Sequence, residues 1–322
     1  MYNSKHVTSY VWPNPAFPFR EYFSDPKLRI FIIENIHHNW EWLRDHSRRF
    51  QARDHFIVYV GWHYDDWILK QDLAVFEALE LDKEKFFFLF NSEDEKSRYM
   101  EAGFIGELIN QNAWIDHDYA MMPIQGLEKK YDAVYVGRLT PFKRHELANE
   151  VPRLALVAGN LHGGSDAPHI PPHIYMNDRH LTPPEVSAVI NESRCGLILS
   201  AAEGACFASS EYLLCGVPVV STYSKGGRDV WYNEYNSLQV EADPLRIRAA
   251  VEYFVKNPRD PNKIRNDHIV QADSYKQKFI DYLNQLFVRY EIVQSAQDFF
   301  TESYMDKLRK SENPDFFKIW PI

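Results

Sequence analysis

The 322-residue sequence is 45% hydrophobic and 25% charged, ordinary usage for a folded chain of about two domains. With 36 Lys+Arg against 45 Asp+Glu the net charge is −9, and neither half is basic, which disfavours nucleic acid and anionic membranes as partners. Cys195, Cys206 and Cys215 fall in one stretch without a CxxC pair, so neither a disulfide framework nor a zinc site is expected. The N-terminus carries no apolar leader and no run nears the ~20 apolar residues of a membrane span. The expected location is the cytoplasm, with membrane contact at most peripheral, at the inner face.

Residues 1–28, with Pro13, Pro15, Pro18 and Pro26, read as an irregular arm. Two strands follow, LRIFIIEN at 28–35 and HFIVYVGW at 55–62, with helical spacing of Trp40, Trp42 and Leu43 between them. A helix is expected over 66–81 and a buried strand at FFFLF, 86–90. Periodicity is lost over 110–130, where the domain boundary is placed. Beyond it come strands at 132–136 and 153–158, a helix over 183–193, a strand at 195–200, a short helix over 205–214, a strand at 217–222 and a helix over 244–256. Strands alternating with helices at this spacing imply a doubly wound parallel sheet. The tail from 260 is mostly helical and ends in Phe316, Phe317 and Trp320.

Ligands of an open α/β sheet sit beyond the C-terminal ends of its strands. One such end carries Glu203, Gly204, Ala205, Cys206 and Phe207, a small-residue turn into a helix whose free N–H groups suit a phosphate. Another carries Arg138 and Lys143 in GRLTPFK, cations matched to a pyrophosphate. Gly226 and Gly227 offer a further close backbone approach. Glu211 follows Glu203 by two helical turns, roughly 12 Å at 1.5 Å per residue. That separation excludes a close acid–base pair and suits a grip on two ends of an extended ligand.

Taken together, GRLTPFK, SAAEGACFASSEYLLCGVPVVST and KGGRDVWYNEYNSLQVEADP resemble the nucleotide half of retaining GT-B glycosyltransferases, the glycosyltransferase family 4 group, over about 131–257. The resemblance implies an α/β GT-B architecture of two Rossmann-like domains facing a central cleft. Its limits would be 1–130 for an acceptor-side domain, 131–290 for a nucleotide-sugar domain, and 291–322 for helices returning onto the first. It implies that Arg138 and Lys143 hold the donor diphosphate, Glu211 the ribose, and Glu203 with the backbone of Gly204, Ala205, Cys206 and Phe207 the donor sugar and its phosphate. The base is expected near Asn177. The implied activity is a metal-independent, retaining hexosyltransferase acting on a saccharide or glycolipid, with no cofactor and UDP, GDP or ADP as the donor nucleotide. An epimerase or hydrolase of the same fold, or a binding protein without transfer, remains open. A nicotinamide dehydrogenase is not indicated, because no GxGxxG turn exists.

The first half departs from the family pattern. It holds only Gly61, Gly103, Gly106 and Gly126 and no glycine-rich turn, so an abbreviated or remodelled domain is expected. His63, after the second strand, is a candidate to orient an acceptor hydroxyl or the donor sugar. Trp12, Trp40, Trp42, Trp62, Trp67 and Trp114 fall in this half, some as core and some as stacking faces for a sugar. Asp116-His117-Asp118 spells DxD but lies in the aperiodic linker, not after a strand.

Overall fold

A computed structural model describes residues 19–159 and 169–304. Its strands are β1 (Phe19–Ser24), β2 (Arg29–Glu34), β3 (Asp54–Tyr59), β4 (Phe86–Phe90), β5 (Ile105–Leu108), β6 (Tyr131–Gly137), β7 (Leu154–Ala158), β8 (Tyr175–Met176), β9 (Ser193–Ile198), β10 (Ala202–Glu203), β11 (Val219–Thr222), β12 (Lys225–Gly226) and β13 (Ser237–Val240). The helices are α1 (Trp40–His46), α2 (Asp66–Ala78), α3 (Glu93–Glu101), α4 (Pro183–Asn191), α5 (Phe207–Leu214), α6 (Pro244–Lys256), α7 (Pro261–Arg289) and α8 (Ala296–Ser303). The chain divides into two compact units, one running to Asp116 and resuming at Ala272, the other spanning His117–Gln271. Trp12 and the terminal aromatics Phe316, Phe317 and Trp320 lie outside the described residues.

The first unit holds a five-stranded sheet in the order β1-β2-β3-β4-β5, parallel except for antiparallel β1 at the edge. The arm expected over 1–28 thus ends in a strand. Upstream prolines and a bulge between Glu21 and Phe23 hide its alternation. Strands β2, β3 and β4 are buried along their whole length, as strands covered on both faces are. On one face Phe31, Phe56, Val58, Phe86 and Phe88 meet Trp42 and Leu43 of α1 and Ile68, Val75 and Phe76 of α2. On the other, Phe87 stacks on Tyr282 of α7 with ring centroids 3.6 Å apart, and Phe23 meets Phe287 at 4.6 Å. Trp114 packs on Phe279 at 5.0 Å, and its carbonyl accepts from the Tyr304 hydroxyl at 2.8 Å. Each such ring contributes about 2–3 kcal/mol by burial, so the C-terminal helices supply apolar packing to this second face of the sheet.

The second unit is a six-stranded, all-parallel sheet ordered β13-β11-β9-β6-β7-β8. Its core joins Tyr135, Leu156, Leu197 and Val220 to Ile247, Val251 and Phe254 of α6. The sequence reading sets the breaks at 130 and 290, whereas the units part after Asp116 and after Gln271. Residues 117–130 of the aperiodic stretch belong with the second unit, and polar side chains hold them there. Arg265 donates to the Met121 carbonyl at 2.6 Å, and the Asn191 amide accepts from Ile124 N–H at 2.9 Å and donates to the Met122 carbonyl at 3.0 Å. The later break falls inside the single helix α7, where no loop residue marks it.

Candidate functional site

Chain order in the second sheet runs outward from β6 through β7 to β8, then returns to β9 and continues through β11 to β13. The switch point therefore lies between β6 and β9, and a crevice is expected beyond their C-terminal ends. The turn after β6 carries Arg138 and Lys143, and the turn after β9 carries Glu203.

One side chain opens that crevice. Pairing of β6 with β9 ends at Val134 and Gly196. The Val136 N–H, one step further on, donates to the Tyr212 hydroxyl at 2.7 Å, and that hydroxyl in turn reaches the Leu197 carbonyl at 3.3 Å. A Cβ on Gly196 would fall inside the Tyr212 ring, so glycine is required beneath it. Tyr212 thereby wedges the two strand ends apart and fixes α5, whose first turn faces the gap.

Lys143 and Glu203 form a buried ion pair there, the ammonium donating to Glu203 Oε1, with both residues under 10% exposed. Burial alone pulls the Lys143 ammonium down, but Cys206 and the Glu203 carboxylate outweigh it and hold it above the usual lysine value. Glu203 Oε1 also accepts from Ser200 Oγ at 2.6 Å. Arg138 is exposed, its guanidinium 5.6 Å from the centre of the Phe142 ring. Cys206 stands at the start of α5 with φ 56°, a left-handed conformation that costs a non-glycine residue about 1–3 kcal/mol. Its Sγ lies 3.9 Å from Lys143 Nζ, and burial first, then Glu203, pushes its thiol up to about 11.

The remaining candidates are arranged around these. Gly204 and Ala205 are buried, Phe207 begins α5, and half-buried Glu211 lies within it. Glu203 lies opposite Gly226 in the two-residue pairing of β10 with β12, Gly226 has φ 96°, and Gly227 N–H donates to the Gly204 carbonyl at 2.7 Å. Asn177 is buried and its amide is committed to the end of β7. It accepts from Ala158 N–H at 2.7 Å and donates to the Ala158 carbonyl at 3.0 Å and the Arg179 carbonyl at 2.8 Å.

Two arginines escaped the sequence reading. Arg144, at φ 53°, donates to the Leu199 carbonyl at 2.6 Å and to Thr222 Oγ1 at 2.8 Å. Arg228 is fully buried and ties the ends of β9 and β11 together. Neither carries a sequence signal beyond its place after a strand or a Gly-Gly pair.

His63 belongs to the first unit. It is buried, its Nδ1 3.2 Å from Glu95 Oε1 and its Nε2 3.2 Å from Asp65 Oδ1. The hydrogen bond with Glu95 raises its pKa above the usual histidine value, against the opposing effect of burial. Glu95 is fully buried and also accepts from Tyr64 N–H at 3.0 Å and Asn91 N–H at 3.1 Å. Trp42 and Trp114 are core, whereas Trp62 and Trp67 are exposed. Among the described residues no group of three or more His, Cys, Asp or Glu could hold a metal ion, and no helix is long and apolar enough to cross a membrane.

No family model matches the chain, and no curated protein matches it. Solved structures do. Sucrose-phosphate synthase from Thermosynechococcus elongatus superposes with a TM-score of 0.58 at 14% identity, over 81% of this chain and 74% of that one. HepE of Anabaena in complex with UDP-glucose gives 0.53 at 13% identity, over 79% and 78%. TarM gives 0.57 at 14% identity over 78% of this chain but 54% of its own, so this chain spans about half of TarM. These are GT-B glycosyltransferases, and at such identities the likeness establishes the fold: α/β, Rossmann-like, of the GT-B kind.

Proposed function

We propose that this chain is a retaining glycosyltransferase of the family 4 type, moving a hexose from a nucleotide diphosphate to a hydroxyl of a saccharide or glycolipid. The observation that carries the reading is the buried Lys143–Glu203 pair at the switch point, beside the first turn of α5. Lysine has three N–H donors; one goes to Glu203 and one to Cys206 Sγ at 3.9 Å, which leaves one for a diphosphate. Arg138 would add a guanidinium from the same turn, Glu211 would take the ribose hydroxyls, and Glu203 Oε2 a hydroxyl of the sugar. The described structure of HepE contains UDP-glucose, which makes UDP the first nucleotide to test.

In this mechanism the anomeric C–O bond to the diphosphate breaks through an oxocarbenium-like transition state. The leaving oxygen takes the bonding pair, and Arg138, Lys143 and the α5 N–H groups stabilise the growing charge. The acceptor hydroxyl attacks the same face and gives its proton to a diphosphate oxygen. Fixed cations then serve where other glycosyltransferases use a metal. On the acceptor side, His63 and the exposed Trp62 and Trp67 are the candidates to hold the incoming sugar.

Thermal stability with UDP, GDP, ADP and dTDP tests this directly. A ligand at 100 times its Kd adds about 2.7 kcal/mol, a melting shift of several degrees. One nucleotide should raise the wild-type Tm and leave an R138A/K143A variant unmoved. No response to any of the four would overturn the donor site.

A further inference from the structure

Ser200 and Arg228 stand behind Glu203 and take no part in the mechanism above, yet they form one chain with it. The Arg228 guanidinium is fully buried. It donates to the Thr222 carbonyl, to the Ile198 carbonyl at 3.4 Å, to Asp229 Oδ1 at 3.0 Å and to Ser200 Oγ at 2.9 Å. A guanidinium has donors only. Ser200 Oγ must therefore accept from Arg228, and its single hydrogen is committed to Glu203 Oε1, 2.6 Å away. Lys143 donates to the same oxygen. Two fixed donors on Oε1 leave Oε2 as the oxygen that can face a ligand.

We propose that Arg228 is a positioning residue that acts through Ser200. It sets the direction of the serine hydroxyl, the hydroxyl locks the Glu203 rotamer, and Oε2 is held toward the donor sugar. This rests on the donor-site reading, in which Glu203 holds that sugar. The local fold supports the coupling. Arg228 follows β12, whose pairing with β10 sets Gly226 opposite Glu203, so the anchoring residue and the anchored one belong to one paired piece of backbone.

The test separates sugar binding from nucleotide binding. Wild type, S200A, R228K, E203Q and S200A/E203Q are titrated by calorimetry with UDP, GDP, ADP and dTDP. Each is then titrated with the glucose, N-acetylglucosamine and mannose esters of whichever nucleotide binds. S200A should bind the nucleotide like wild type and its sugar ester about tenfold or more weakly, the usual effect of losing a hydrogen bond to a charged group. R228K should behave likewise where circular dichroism shows it folded, and S200A carries the test where it is not. Because Ser200 acts only through the carboxylate, S200A/E203Q should bind the ester no more weakly than E203Q. Wild-type ester affinity in S200A overturns the positioning role. So does equal loss for nucleotide and ester, the mark of a merely structural residue, and so does additivity of the two changes. A wild type that binds none of the nucleotides overturns the donor-site reading, and this assignment with it.

Discussion

Lys143 and Glu203 give the sharpest test of why this site exists. Both side chains are nearly excluded from water, and taking two charges out of water costs several kcal/mol each, which their attraction barely repays. Removing one partner strands the other. K143M should therefore lose about 3–5 kcal/mol, with Ser200 still donating to Glu203 Oε1. At roughly 2–4 °C per kcal/mol for a domain of this size, that is a fall in Tm of about 10 °C. The double variant K143M/E203M replaces both charges with apolar groups of similar reach and should recover to within about 2 kcal/mol of wild type. Differential scanning fluorimetry of wild type, K143M, E203M and the double variant, with and without UDP, reads both quantities. The double variant should be stable and unresponsive to nucleotide. If it is as unstable as the sum of the single changes, the pair is a stabilising device and the functional argument built on its cost fails.

Three other expectations follow from particular contacts. Y212F leaves the half-buried Val136 N–H without its acceptor and should cost about 1–3 kcal/mol in urea unfolding; a loss under 0.5 kcal/mol would mean the wedge between β6 and β9 is not needed. E211A should weaken nucleotide binding about tenfold while activity of the wild type persists in EDTA; unchanged affinity in E211A removes its ribose role, and loss of activity in EDTA removes the metal-independent mechanism. Asp72 is fully buried, and burial raises its pKa to about 6 despite hydrogen bonds from Tyr99 and Trp40. Its proton is thus bound more tightly in the folded chain. The stabilisation, on the order of 3 kcal/mol, is complete below pH 4 and lost as pH rises through 6. The Tm of wild type minus that of D72N should then grow as pH falls from 7 to 4.5; parallel curves would contradict it.

How much of this was legible in the sequence depended on the range of the signal. The helix at 244–256 and the strand at 86–90 carry their own periodicity and length, and both ends fall where they were read. Strand β1 was missed because prolines upstream and a bulge break its alternation, and β5 because four residues show no pattern. The break inside α7 was invisible for a different reason. One continuous helical pattern runs from Pro261 to Arg289, and only the three-dimensional partners of Phe279, Tyr282 and Phe287 reveal that its second half belongs to the first unit. Arg138, Lys143 and Glu203 could be placed on the turns after β6 and β9 because strand ends can be located and their charged residues read off. That Lys143 would pair with Glu203, rather than stand free beside it, depended on a contact across 60 residues.

The cations at this switch point fall into two tiers, and the division explains which of them sequence could find. Arg144 and Arg228 spend their donors on carbonyls and hydroxyls at the ends of β9 and β11. The Leu199 carbonyl also accepts from Thr222 Oγ1 and the Thr222 carbonyl from Ser221 Oγ, so the two guanidiniums reinforce backbone groups where these strands end. That role needs no motif, only an arginine within reach, and it leaves no trace in spacing. Lys143 and Arg138 lie on the turn above. Lys143 is held by Glu203 and Cys206 and Arg138 is exposed, and each keeps donor capacity that these contacts do not consume. In a chain of net charge −9, three cations on the turn after β6 and a fourth after β12 are not a general surface property. The inner tier answers to the backbone. The outer tier has donors to spare at the one place where the sheet's topology opens a crevice, and an anion with several oxygens is the ligand whose chemistry would use them.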